Sequence, residues 1–174
     1  MTTERDAYGR SRLQSLRILT GSLIGALVIF AVVSVVVLGL EEYPSALVAG
    51  GLFVLNLAAF GVAEVVGYRT PAVPRDADPD TALRAGLDAL QQTTITRFAI
   101  TVAPAMLALA WAFAEGSAWP YLVGGFWALL SATWHVWPTR RIAQRLERSL
   151  DRDGGRSRLS EIFGGMSAPG YQQY

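Results

Sequence analysis

Four long apolar runs divide the chain, and nearly every charge lies between them. The first, residues 18–40, has 23 positions without a charged side chain. A helix rises about 1.5 Å per residue, so this run covers roughly 30 Å, the thickness of a bilayer's hydrocarbon core. It ends in Glu41-Glu42-Tyr43-Pro44 and not in a small-residue cleavage site, so it reads as a retained span and not a signal peptide. The second run, 45–66, carries Asn56 and Glu64, with Pro44 placed to start its helix. The third, 98–114, has Pro104 near its middle, and the fourth, 121–137, is opened by Pro120 and closed by Pro138. These last two sit at the short end for a span, and a buried soluble hairpin is the alternative for that pair. Backbone groups in hydrocarbon find partners only inside their own segment, so spans must be helices. Pro104 removes one donor and predicts a kink in the third.

The segments between the runs have a different periodicity. Residues 70–79 are rich in Pro and Asp and predict a loop. Asp80 or Thr81 then suits an N-cap, and Leu83, Leu87 and Leu90 follow at helical spacing, which predicts a short amphipathic helix along the inner surface leading into the third span. After Pro138, Ile142, Leu146 and Leu150 recur every fourth position among Arg140, Arg141, Arg145, Glu147 and Arg148, and Gly154-Gly155 is expected to end that helix. Such a basic amphipathic helix either lies in the interface against anionic lipid or is a solvated helix that anchors topology. The end, 167–174, is polar and aperiodic, and predicts disorder.

The expected fold is therefore all-α: a polytopic four-transmembrane-helix bundle made of two helical hairpins, with cytoplasmic amphipathic helices. Its parts are an N-terminal arm (1–17), hairpin 1 (18–68), a linker with an amphipathic helix (69–93), hairpin 2 (94–137) and an amphipathic helix with a flexible tail (138–174). Both hairpins have an Arg at the entrance, a Glu-bearing turn, a Pro at the second helix start and a Gly-Gly soon after, a pattern compatible with a parallel duplication. The linkers are read as too short to fold alone.

Charge sets the orientation. All 15 basic residues are Arg, and none falls in the 1–2 or 3–4 loop, which hold only Glu41, Glu42 and Glu115. Basic residues flanking spans stay cytoplasmic, so both termini and the middle linker are placed inside. The Arg, Ala, Gly and Val bias suggests a GC-rich bacterial genome, hence a cytoplasmic membrane. The absence of Cys excludes disulfides and thiolate chemistry.

Ionisable groups within spans are functional suspects. Glu64, Arg97 and His135 fall at a similar depth near the inner face, and with Asn56 they form the candidate polar layer. Gly124, Ala128 and Ser131 share the helix side of His135; small residues mark a packed membrane face, so His135 is expected to point into the bundle, toward a Glu64–His135 or Glu64–Arg97 pair. The plainer reading is that these groups snorkel to the interface or form a structural ion pair, and the other is a proton-coupled or ligand-binding role. One His and one Glu are too few for a metal site. The Asp76, Asp78, Asp80 run lacks the Gly and Glu of a calcium loop and reads as a solvated turn. Gly21 and Gly25 form a GxxxG suited to close helix contact, within the bundle or between copies. Trp119 and Trp137 suit the aromatic belts, while Trp111, Trp127 and Trp134 lie deeper.

Two stretches, Arg97-Phe98-Ala99-Ile100 through Pro104-Ala105-Met106 and His135-Val136-Trp137-Pro138 with Arg140-Arg141, together with Gly67-Tyr68-Arg69, resemble small four-span membrane proteins of high-GC Gram-positive bacteria. The resemblance covers most of the chain and implies the same fold. Those proteins often have an acid before the Ala-Pro of the third span, where this chain has Thr101 and Val102. No activity comes with the resemblance. The sequence contains no G-x-S-x-G, P-loop or H-E-x-x-H. The expectation is a non-enzymatic accessory or scaffold protein, or else a small homo-oligomeric transporter or channel. Its expected partners are anionic headgroups at the inner face and a membrane protein or further copies of itself, with no nucleic acid, cofactor or metal.

Overall fold

The structure, a computed structural model, describes residues 2–41, 43–157 and 159–164, with only the backbone of 2–6 and 164. The expected disorder of 167–174 and the acid at position 42 lie outside the described residues. Six helices follow in order: α1 Thr2–Leu38, α2 Ala46–Val66, α3 Pro79–Glu115, α4 Trp119–Val136, α5 Arg140–Leu150 and α6 Leu159–Gly164. The described residues contain no strand. Three helices, α1, α2 and α3, are long and apolar enough to cross a membrane. The shorter α4 is not among them, and Pro120, two Gly, Ser131, Thr133 and His135 fall within its 18 residues.

Local chemistry explains the ends. α2 starts one residue after its cap: Ser45 Oγ accepts from Val48 N at 3.3 Å, so Pro44 precedes the cap and does not open the helix. α3 starts earlier than Asp80 or Thr81 would allow. Asp78 is the cap, its Oδ2 accepting from Asp80 N at 3.0 Å and Thr81 N at 3.3 Å, and Pro79 occupies the first turn, where its missing N–H costs nothing. The amphipathic stretch and the third apolar run form one helix of 37 residues that continues through Pro104. α1 likewise runs from the N-terminal arm into the first apolar run. α5 stops at Leu150, short of Gly154, and α6 has no counterpart in the sequence reading.

The chain divides into two compact units. The first is built from the described parts of Met1–Arg17, Tyr68–Thr93 and Pro138–Tyr174. These segments, each too short to fold alone, share one core: Leu13, Leu16, Leu87, Leu90, Ile142, Leu146, Leu150 and Leu159 pack together. The apolar stripe of α5 is thus buried in protein and not laid into a membrane interface. Two hydrogen bonds fix the loop against it: Val73 N donates to Leu150 O at 2.8 Å, and the Arg75 side chain donates through Nε to Asp153 O at 2.6 Å. The Arg145 guanidinium lies 4.1 Å from the centroid of the Tyr68 ring, a cation–π distance. Arg140, Arg141, Arg148, Arg152 and Arg156 remain exposed.

The second unit comprises Ile18–Gly67 and Thr94–Trp137. Its core is small-residue packing: Ala105, Ala112, Ala128 and Ala132 are fully buried beside Leu27, Tyr121 and Val136. A Cβ on Gly124 would overlap that of Ala108, so Gly allows α3 and α4 their close approach. Tyr121 is buried and its hydroxyl donates to Leu27 O at 2.9 Å, which ties α4 to α1. The GxxxG of α1 takes no part in this packing: a Cβ at Gly21 or Gly25 meets no atom within 4 Å. Close contact there within the chain is therefore ruled out among the described residues.

Candidate functional site

The candidate polar residues all belong to the second unit and fall into two places along it. Glu64 lies in the last turn of α2, and His135 is the penultimate residue of α4. α2 and α4 pack side by side, which brings Glu64 Oε1 to 3.9 Å from His135 Nδ1. That separation is beyond a hydrogen bond but within electrostatic reach, and it is an ion pair only when the imidazole is protonated. The His135 side chain is fully buried while that of Glu64 keeps 25% exposure. Phe60, one turn before Glu64, packs edge-on against the imidazole with centroids 4.5 Å apart. Gly124, Ala128 and Ser131 are buried on the same side of α4 as His135.

Arg97 of α3 is also fully buried. Its Nη2 donates to Thr94 Oγ1 at 3.2 Å, and its carbonyl accepts from Thr101 Oγ1 at 2.9 Å. The stem of Arg97 runs beneath Gly67, where any Cβ would overlap the Arg97 Cγ and the Ala63 carbonyl. Gly67 thus caps α2 and makes room for a buried guanidinium with one missing methyl group. A charge taken from water must be compensated, and Glu64, Arg97 and His135 all have interaction partners.

Asn56 stands apart from these three. It precedes Glu64 by eight positions on α2, about 12 Å along the axis. It is buried at 4% exposure, near the middle of its helix, and its Nδ2 donates to Leu52 O at 2.9 Å. Across from it on α4 is Ser131, at 5% exposure. Both line a groove of about 540 Å³ whose other walls are apolar, chiefly Phe53, Phe60, Trp127 and Trp134. Sequence reasoning placed Ser131 on the packed face of α4 but did not pair it with Asn56. Nothing in the order of residues says which face of α2 meets which face of α4.

Among the described residues no group of three or more His, Asp or Glu is arranged to hold a metal ion. The chain matches no protein-family model, no curated protein and no solved structure.

Proposed function

We propose that the chain is a multi-pass protein of the bacterial cytoplasmic membrane, crossing it four times with both termini inside, and serving as a non-enzymatic accessory or scaffold subunit. The observation that carries this reading is the composition of the first unit. Every Arg except Arg97 lies in its segments, and those segments share one core. Segments that fold together sit on one side of a membrane, and the Arg bias assigns that side to the cytoplasm. The unit would then present Arg140, Arg141 and Arg148 to anionic headgroups or to an acidic partner surface.

The polar residues within α4 are compatible with a fourth span. Its Gly, Ser and His face the protein, whereas Phe126, Leu130 and Trp134 are about half exposed. A helix whose polar groups face its neighbours and whose large apolar groups face outward suits lipid even when its mean hydropathy is modest. The connections at residues 39–45 and 116–118 are too short to hold an enzyme domain. Isolation of the tagged chain from its native membrane in a mild detergent tests the role. A discrete complex with one membrane protein at fixed stoichiometry is expected; a lone monomer would overturn it.

The Glu64–His135 contact favours a second reading, a homo-oligomeric transporter or channel. In it Glu64, Asn56, Arg97 and His135 line an inner vestibule and Pro104 acts as a hinge. Glu64→Gln would then abolish a solute or ion flux in proteoliposomes, and wild-type liposomes without flux under any imposed gradient would rule it out.

A further inference from the structure

The apolar side of α5 is used up inside the first unit, where Ile142, Ala143, Leu146 and Leu150 are buried. What the helix turns outward is a row of arginines. Arg141, Arg145 and Arg148 follow at i, i+4 and i+7, the spacing that sets side chains on one face. Arg141 and Arg148 are exposed, and Arg145 is partly exposed with its guanidinium on the Tyr68 ring. Glu147 is the only acid in α5 and falls off that row. No apolar side chain of α5 is exposed.

The covalent chain sets this row close to the end of a membrane-type helix. Trp134 and Trp137, at the end of α4, are 55% and 41% exposed. Exposed Trp at a helix end suits the headgroup level of a bilayer. Arg140, the first residue of α5, follows Trp137 by three positions, so their Cα atoms are at most about 10 Å apart.

We infer that the Arg141, Arg145 and Arg148 face of α5 docks on anionic phospholipid headgroups, and does so by charge alone. The inference rests on the membrane reading proposed above and decides between the two partners named there. Guanidinium groups match phosphate in charge and in the geometry of their donors. The core of a protein interface is depleted of charge and rich in aromatic residues, and this face has no apolar side chain with which to build one. A basic amphipathic helix on a membrane ordinarily adds the insertion of its apolar side. In α5 that side is already covered, so nothing is left to insert and salt reverses the docking.

The probe is phosphatidylglycerol with a nitroxide on its acyl chain, dissolved in phosphatidylcholine bilayers that hold the full-length chain. Electron spin resonance separates lipid immobilised at the protein from bulk lipid, and nitroxide-labelled phosphatidylcholine is the reference. At low salt, phosphatidylglycerol should be enriched at the protein at least about fivefold over phosphatidylcholine, the factor that one Arg near an anionic surface supplies. At about 1 M salt, where the screening length is only about 3 Å, the preference should vanish. Arg141→Gln with Arg148→Gln should bring it below about twofold without changing the melting temperature. Arg84→Gln with Arg156→Gln removes the same charge from exposed positions outside α5 and should leave the preference near that of the wild type. No preference in the wild type, one that outlasts molar salt, or one lowered equally by the two pairs would overturn the inference. So would a wild type that shows no lipid preference and retains an acidic protein through these arginines. Both leaflets contain the probe, so the result does not depend on which side the unit occupies, and its failure would leave the four-span topology untouched.

Discussion

His135 Nδ1 and Glu64 Oε1 stand 3.9 Å apart, and one of the two residues is fully buried while the other reaches partly outward. The two are joined by helix packing: α2 and α4 lie against each other over much of their length. Removal of the two side chains should therefore have unequal effects. His135→Ala deletes a buried ring that packs on Phe60, and the expected loss is about 2 kcal/mol or more, read as a lower melting temperature in detergent. Glu64→Gln keeps the shape and should change stability by about 1 kcal/mol or less, because the pair is long and partly solvated.

Gly67 is the most constrained glycine of the second unit. Gly67→Ala would press a methyl group into the stem of Arg97 and the carbonyl of Ala63. Overpacking of this kind costs about 1–3 kcal/mol. The loss should be seen in thermal unfolding, and Gly61→Ala supplies the control, because a Cβ there meets nothing within 4 Å.

Asp78 and not Asp80 should govern the start of α3. Asp78→Ala removes the acceptor for two backbone amides and should destabilise the first turn by about 1 kcal/mol. Hydrogen exchange at Asp80 and Thr81 should quicken, whereas Asp80→Ala should leave the rates at Thr81 nearly unchanged.

Much of this architecture was legible in the sequence, and what was not has a physical reason. The runs of 18–40 and 45–66 announce α1 and α2 because a lipid-facing helix is apolar all round. The spacing of Gly124, Ala128 and Ser131 before His135 places the buried face of α4 because small residues mark close packing. The starts of α2 and α3 were misread by one to three residues, since a Pro such as Pro44 suits both a first-turn and a pre-cap position, and Asp78, Asp80 and Thr81 all have side chains able to cap. The common core of the first unit could not be read at all. Leu87 and Leu146 each look like part of a separate amphipathic stripe, Leu13 belongs to an arm with no stripe of its own in that reading, and only the path of the chain shows that they cover one another. The same is true of Asn56 and Ser131, which sit on different helices with nothing in their spacing to connect them.

The absence of Cys makes the topology directly measurable, since each introduced Cys is the only thiol in the chain. Glu41→Cys lies in the first short connection and Glu115→Cys at the exposed end of α3 beside the second, and Asp76→Cys, Gln144→Cys and Asp153→Cys lie on the exposed surface of the arginine-bearing unit. The decisive measurement is labelling of these five variants with a membrane-impermeant maleimide in intact cells, repeated after permeabilisation. Labelling of positions 41 and 115 in intact cells, and of 76, 144 and 153 only after permeabilisation, is the expected result for four spans with the basic unit inside. Labelling of 115 and 144 from the same side would mean that α4 does not cross, and would contradict it.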